Sequence, residues 1–175
     1  MTTVLVAYGS RLGSTKGIAE RIAARLRSHG IDTTACDMQT GFEPGRYDAF
    51  VIGSAVYAGH WLKDVTRRVG EHTAVLSARP VWLFSSGPVG KLATGSAPVA
   101  PAEVRGLESA VSAREHRTFA GALDRATVDG ARFGTAERFI AKRFVPEGDY
   151  RDWTEIDTWA DSIARSLSAV HAVPV

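Results

Sequence analysis

A doubly wound α/β sandwich built on a parallel sheet is the fold class that the 175 residues predict. Three observations lead there. Short apolar runs alternate with stretches of helical periodicity along the chain, the pattern of strands joined by crossover helices. The run Asp48-Ala49-Phe50-Val51-Ile52-Gly53-Ser54 is apolar on both faces, as the middle of a sheet covered on each side requires. Near the end, Trp153, Ile156, Ala160, Ile163, Leu167 and Val170 recur every three or four residues, the mark of an amphipathic helix that closes a sheet face.

The elements follow in order. Val4-Leu5-Val6-Ala7 predicts the first strand, and the small and hydroxylated residues after it run into the stripe Ile18, Ile22, Leu26, so a strand feeds a helix through a tight loop. Gly30 is the natural stop of that helix. Ile31 to Asp37 reads as a second strand, and Gln39 to Tyr47, rich in Gly and Pro, as a loop. The third strand ends at Ser54. A turn at Ala58-Gly59 leads to Trp61, Leu62, Val65 and Val69, which form a helical seam. Pro80 to Gly87 predicts a fourth strand, Ala102 to Ala113 a helix, and His116 to Leu123 a fifth strand. Asp152 and Glu155 supply a capping-box start for the last helix. No linker or repeat interrupts this alternation, so residues 1–175 read as one domain with an inserted loop and short helix at about 124–151.

A hydrophobic fraction of 45% and a charged fraction of 23% are ordinary for a water-soluble globular chain. No apolar run is long enough to cross a bilayer, and Met1-Thr2-Thr3 leads directly into a strand, so a cytoplasmic location is expected. The single cysteine, Cys36, forms no internal disulfide and is expected as a small core residue. No Cys/His cluster has metal-site spacing, and no metal is expected. The 21 basic residues are spread along the chain without a recognition motif, which argues against nucleic acid as a partner.

The loop after the first strand carries the clearest chemistry. Gly9 and Gly13 let the backbone fold inward, the amides that open the helix point outward, and Ser10, Ser14 and Thr15 add hydroxyl donors, so the loop suits a phosphate. It is not a nucleotide-triphosphatase loop, because Gly9 to Gly13 is one residue short and Ser14 stands where a lysine is required. An ordinary polar strand-to-helix turn is the competing reading. Two further loops leave strand ends. Ser54-Ala55-Val56-Tyr57-Ala58-Gly59-His60-Trp61 offers small residues for close approach to a flat ring, with Tyr57 as its contact. Ser85-Ser86-Gly87-Pro88-Val89-Gly90 offers backbone donors for a ring's carbonyls. A phosphate loop and two ring-edge loops on one crevice describe a pocket for flavin mononucleotide, FMN. Trp61 is read as packing rather than contact, and His60 as either catalytic or structural. No nucleophile with its base is evident, so a cofactor would carry the chemistry.

Tyr8-Gly9-Ser10-Arg11-Leu12-Gly13-Ser14-Thr15, Val51 to Trp61, Phe119-Ala120-Gly121-Ala122-Leu123 and Gly148-Asp149-Tyr150-Arg151-Asp152-Trp153 together resemble the flavodoxin-domain branch that includes menaquinone-dependent protoporphyrinogen oxidase. The likeness covers nearly the whole chain. It implies a flavodoxin-like sandwich with a five-stranded parallel sheet in the order 2-1-3-4-5, and a bound FMN held by Ser10, Arg11, Leu12, Gly13, Ser14 and Thr15 and by the two ring-edge loops. It also implies a redox donor and a quinone-like acceptor as partners. Where the family carries an acidic residue in the phosphate loop, this chain has Leu12. Electron-carrier flavodoxins are typically acidic, whereas the net charge here is +2. A carrier without substrate chemistry, or a deazaflavin-binding relative, are the alternatives.

The insertion has its own character. Thr135 to Val145 reads as a short helix with Phe139, Ile140 and Phe144, and between 132 and 145 four basic residues stand against one acid. Rings beside cations suit a lipid interface, which makes 132–145 the candidate for peripheral membrane contact. A surface helix with its apolar side on the core is the competing reading.

Overall fold

A computed structural model of the chain describes residues 1–87, 100–124, 126, 128 and 147–171. Its strands are β1 (Thr3–Gly9), β2 (Asp32–Asp37), β3 (Ala49–Tyr57), β4 (His60–Trp61), β5 (Val81–Ser86), β6 (Glu115–Phe119), β7 (Ala122–Leu123) and β8 (Gly148–Asp149). Its helices are α1 (Ser14–Ser28), α2 (Lys63–Glu71), α3 (Thr73–Ser77), α4 (Ala102–Ala110) and α5 (Trp153–His171). The main sheet runs β2-β1-β3-β5-β6 with parallel neighbours throughout. This is the order the resemblance implies, once β4 is set apart as a short antiparallel addition to β3.

Side-chain alternation divides the core into two layers, because successive residues of a strand face opposite sides. Val4, Val6, Val51, Trp82, Phe84 and Phe119 meet Ile18, Ile22 and Leu26 of α1 and Ile156, Trp159 and Ile163 of α5. Leu5, Ala7, Phe50, Ile52 and Leu83 meet Val65 and Val69 of α2, Leu76 of α3 and Val104 of α4. A strand apolar at every position therefore feeds both layers. Asp152 caps α5 as its sequence predicts, its Oδ1 accepting from the Thr154 and Glu155 amides at 2.9 and 3.0 Å.

Helices α1 and α5 lie side by side and are joined by charge. Arg21 bonds Asp157 at 2.7 and 2.6 Å, Arg25 bonds Asp161 at 2.6 and 2.9 Å, and His29 Nε2 lies 2.7 Å from the same Asp161 carboxylate. The hydrogen bonds from Arg25 and then His29 hold the Asp161 carboxyl well below the usual carboxylate range.

The structure departs from the sequence reading in several places, and β3 runs on to Tyr57 rather than ending at Ser54, because its last residues pair with β4. Trp61 belongs to no helix: Val56 pairs with Trp61 and Tyr57 with His60, across a two-residue turn in which Ala58 (φ 49°) and Gly59 (φ 80°) are both left-handed. Such turns match the twist of paired strands. The apparent seam from Trp61 to Val69 arises because β4 and α2 bury residues in the same layer. The predicted fifth strand is two elements, since β6 stops at Phe119 and Ala122–Leu123 leaves to pair with β8. Helix α3 is an added short helix, and α4 ends at Ala110, before Ala113. Cys36 is half-buried, packed against the margin of the core, and its Sγ reaches the Gly41 carbonyl. The predicted helix Thr135–Val145, the basic stretch 132–145 and the loop residues Pro88, Val89 and Gly90 lie outside the described residues.

Candidate functional site

The parallel register sets the site. Gly9 lies opposite Ser54, Ser54 opposite Ser85, and Ser86 opposite Phe119, so the strands end level. The loops that leave β1, β3 and β5 therefore emerge at one edge, where open α/β sheets bind their ligands. Each loop touches the others. Ser14 Oγ lies 3.3 Å from Ser86 Oγ, the Arg11 guanidinium lies 5.4 Å from the centre of the Tyr57 ring, and a Cβ on Gly87 would lie 3.8 Å from the Val56 carbonyl oxygen.

In the first loop Gly13 takes φ +84° at the start of α1, a conformation that favours glycine. Among the described residues no side chain caps this helix. Its opening amides are thus available to an anion. Ser10 Oγ accepts from the Gly13 amide at 3.0 Å, which folds the loop and leaves the serine's own proton out of that bond. Thr15 is fully buried, and its Oγ1 has no hydrogen-bond partner among the described residues. A buried hydroxyl left unpaired is costly, and a ligand oxygen would satisfy it. Arg11 is exposed and Leu12 half-buried.

The second loop is the β3–β4 hairpin. Val56 and Tyr57 are half-buried, and Ala58 and Gly59 are exposed at its tip. Ser54 does not face the crevice with its hydroxyl, which donates to the Ala55 carbonyl at 2.9 Å and accepts from the Leu62 amide at 3.0 Å. It shapes the entry to α2. Ala55 is buried within β3. The hairpin is pinned from outside by Glu103 of α4, which accepts the Trp61 amide at 2.8 Å and lies 3.3 Å from His60 Nδ1. Burial pushes the Glu103 carboxyl up, but bonds from its own amide, from Trp61 and from His60 outweigh that and bring it below its ordinary value. The His60 side chain is 71% exposed, so it stands on the outer side of the hairpin with Glu103.

The third loop is more closed than the sequence suggests. The Ser85 backbone lies inside the sheet between β3 and β6, and its hydroxyl meets Trp61 Nε1 at 2.8 Å and His116 Nε2 at 2.9 Å. Ser85 thus supports the site from below. Ser86 faces the other layer and reaches Ser14. Gly87, at φ +117°, donates its amide to the Phe119 carbonyl at 3.0 Å and is not a spare donor.

Sequence reasoning missed the brace behind the first loop. Ser14 Oγ accepts the Ala122 amide at 2.8 Å, and Arg151 Nη1 lies 3.5 Å from the Ser14 carbonyl. Arg151 is itself fixed by Asp149 at 2.8 and 2.6 Å and stacks 4.5 Å over Trp153. Gly17 makes room, since a Cβ there would lie 2.6 Å from Arg151 Nη1. No periodic signal joins residues 14, 122 and 151, so only folding reveals the contact. Glu103 and His116 were missed for the same reason.

A parallel sheet covered by helices on both faces, with three loops meeting at the carboxyl ends of its strands, defines the class of open α/β sandwich domains. Residues 5–147 match the family described as the flavodoxin domain, and the chain belongs to it. Over 174 residues it is 25% identical to protoporphyrinogen IX dehydrogenase (quinone) of Escherichia coli K12, covering 91% of this chain and 93% of that protein. Among solved structures it resembles a flavodoxin from the domain Archaea, with a TM-score of 0.58 and 15% identity, covering 95% of this chain and 99% of that one. It also resembles rubredoxin oxygen:oxidoreductase of Desulfovibrio gigas, with a TM-score of 0.64 and 14% identity. That match covers 99% of this chain and only 38% of the other. At such identities the structural matches show the fold alone. Among the described residues no helix is long and apolar enough to cross a membrane, and no group of His, Cys, Asp and Glu has the arrangement of a metal site.

Proposed function

We propose that the chain is an FMN-dependent oxidoreductase that passes electrons between a protoporphyrinogen-like substrate and a quinone-like acceptor. The observation that carries the cofactor is the mutual contact of three loops at one sheet edge. Thr15 tests the fit: its buried, unpartnered Oγ1 stands in the first turn of a helix that no described side chain caps, as a phosphate ester requires. Ser10, Arg11, Leu12, Gly13, Ser14 and Thr15 hold the phosphate through amides and hydroxyls. Val56, Tyr57, Ala58 and Gly59 border the ring on one side, and Ser86 and Gly87 on the other. Ser54, Ala55 and Ser85 act from beneath, by holding those turns in place.

Bound FMN supplies the electron-transfer chemistry for which the site offers no side-chain substitute. The chain's own part is to orient the ring, exclude water through Val56 and Tyr57, and set the local field. The substrate and acceptor classes rest on the name of the Escherichia coli relative, which matches this chain over nearly its full length.

The experiment is an FMN titration of the purified protein followed by visible absorbance, then porphyrinogen oxidation with and without added quinone. Flavin absorbance with quinone-dependent turnover supports the proposal. Binding without turnover, combined with reduction by a reductase, makes the protein an electron carrier. A released ligand with the mass of a deazaflavin replaces the cofactor, and a protein that takes up no FMN ends the proposal.

A further inference from the structure

A polar relay runs beneath the ring-binding hairpin, from the buried Trp61 and Ser85 to the half-buried His116. Trp61, 3% exposed, donates its Nε1–H to the Ser85 hydroxyl, which is fully buried and lies within hydrogen-bond distance of His116 Nε2. A serine hydroxyl has one proton to give. Since it accepts from the indole, that proton is left for His116, and the imidazole accepts it at Nε2 when neutral; the tautomer follows from the bonding pattern. A protonated imidazole donates at Nε2 instead. Ser85 Oγ then receives two protons, and its own must turn elsewhere in a buried site. The relay thus has two arrangements, and the second disturbs the bond to the indole.

The indole is coupled to the hairpin tip. Trp61 pairs with Val56 and His60 with Tyr57, so a shift of the Trp61 side chain is passed to Ala58 and Gly59 through two residue pairs. Around the relay, β5 presents the Ser85 hydroxyl, and β4 presents His60, whose charge partner is Glu103 of α4. On β6, Glu115 and Arg117 flank His116 and bond each other at 2.6 Å, and Glu115 also takes the Trp159 Nε1–H in the opposite layer. Burial is the influence that acts on the imidazole, and it pushes the pKa below the ordinary histidine value.

We propose that His116 is a positioning residue for the hairpin, acting through Ser85 and Trp61: the hairpin keeps its ligand-ready position while the imidazole is neutral and loosens when it is protonated. The consequence for a flavin rests on the function proposed above. The linkage between His116 and the hairpin does not.

The test follows the ligand-free full chain by ¹H–¹⁵N NMR from about pH 8 to about pH 5, the range in which histidine changes charge. The Trp61 indole signal and the Ala58 and Gly59 amides should move with the midpoint of the His116 ring. His116→Gln should abolish that movement, whereas His60→Gln should leave it. In Ser85→Ala the His116 ring still titrates, but the hairpin no longer follows. With FMN added, wild-type affinity should fall over this range about tenfold further than that of His116→Gln, the phosphate's own titration being common to both. Hairpin signals without the His116 midpoint, or a movement that survives His116→Gln, overturn the proposal. A wild-type protein that binds no FMN yet keeps the hairpin titration overturns the cofactor reading and leaves this linkage standing.

Discussion

The Arg11 guanidinium stands 5.4 Å from the centre of the Tyr57 ring, joining the loop that leaves β1 to the hairpin that leaves β3. No local spacing pairs an arginine of the loop after β1 with a tyrosine at the end of β3. The contact places a permanent cation on the rim of the crevice, between the sites proposed for the phosphate and the ring.

Reduction of a flavin adds negative charge, so a nearby cation favours the reduced form. Arg11→Ala should lower the midpoint potential of bound FMN. A solvent-screened unit charge contributes about 0.5–1 kcal/mol, which for a two-electron couple corresponds to roughly 10–20 mV. Arg11→Lys should retain most of the effect, because the charge remains. A spectroscopic redox titration measures both, and an unchanged potential in Arg11→Ala would place the side chain outside the cofactor's field.

Thr15 gives a prediction with two signs. Its Oγ1 is buried without a partner, so Thr15→Val should leave the thermal stability of the ligand-free protein unchanged or raise it, by up to about 1 kcal/mol. The same substitution should weaken FMN by about 1–2 kcal/mol, the value of a charge-assisted hydrogen bond. Gly13→Val should lower both stability and affinity, because φ +84° strains a β-branched residue by roughly 1–2 kcal/mol even though nothing lies within 4 Å of its Cβ position. Melting curves and FMN titrations on the two variants read all four quantities.

Gly53 is a packing glycine of β3. A Cβ there would overlap the Phe84 ring, so Gly53→Ala should destabilise the fold by about 1–3 kcal/mol. Adding Phe84→Leu should restore part of the loss by freeing the space. Denaturant unfolding of the single and double variants decides whether the two positions share one volume.

Acid stability should depend on the α1–α5 ladder. Asp157 and Asp161 are both held below their ordinary values, first by hydrogen bonds from Arg21 and from Arg25 respectively. The folded state therefore binds fewer protons than the unfolded chain. The stabilisation is fully present above the unfolded value of about 3.9 and is lost as pH falls below it toward the folded values. Asp161→Asn should lower the melting temperature at neutral pH and flatten its fall between about pH 5 and pH 2. Salt should shrink the difference, since the pairs are on the surface. A variant with the wild-type acid slope would remove the ladder from the account.

Much of the framework was legible in local patterns. The all-apolar run of β3 announced a strand covered on both sides, and the three-and-four spacing from Trp153 announced α5, because burial on a face imposes that period directly. The same rule misled at Trp61, where two short elements of different type bury side chains in one layer and so imitate a single helix. It also ran past Phe119, where the chain stays apolar while changing sheets. In the site, Gly13 and Thr15 were visible as loop chemistry, whereas Ser54 and Ser85 were read only as members of ring-edge loops, and the structure adds that their hydroxyls bond within the fold.

By itself, then, the chain's sequence determined the layered parallel sheet, the glycine- and hydroxyl-rich loop that opens α1 and the elements proposed to carry function at their ends, since these follow from neighbouring residues and their periodicity. Only the tertiary structure decided which hydroxyls are bonded within the fold and which stay unpartnered, that Glu103 grips the hairpin, and that His116 reaches Trp61 through Ser85. Those outcomes depend on strand register and on which layer each side chain enters, and they join residues tens of positions apart that no local pattern relates.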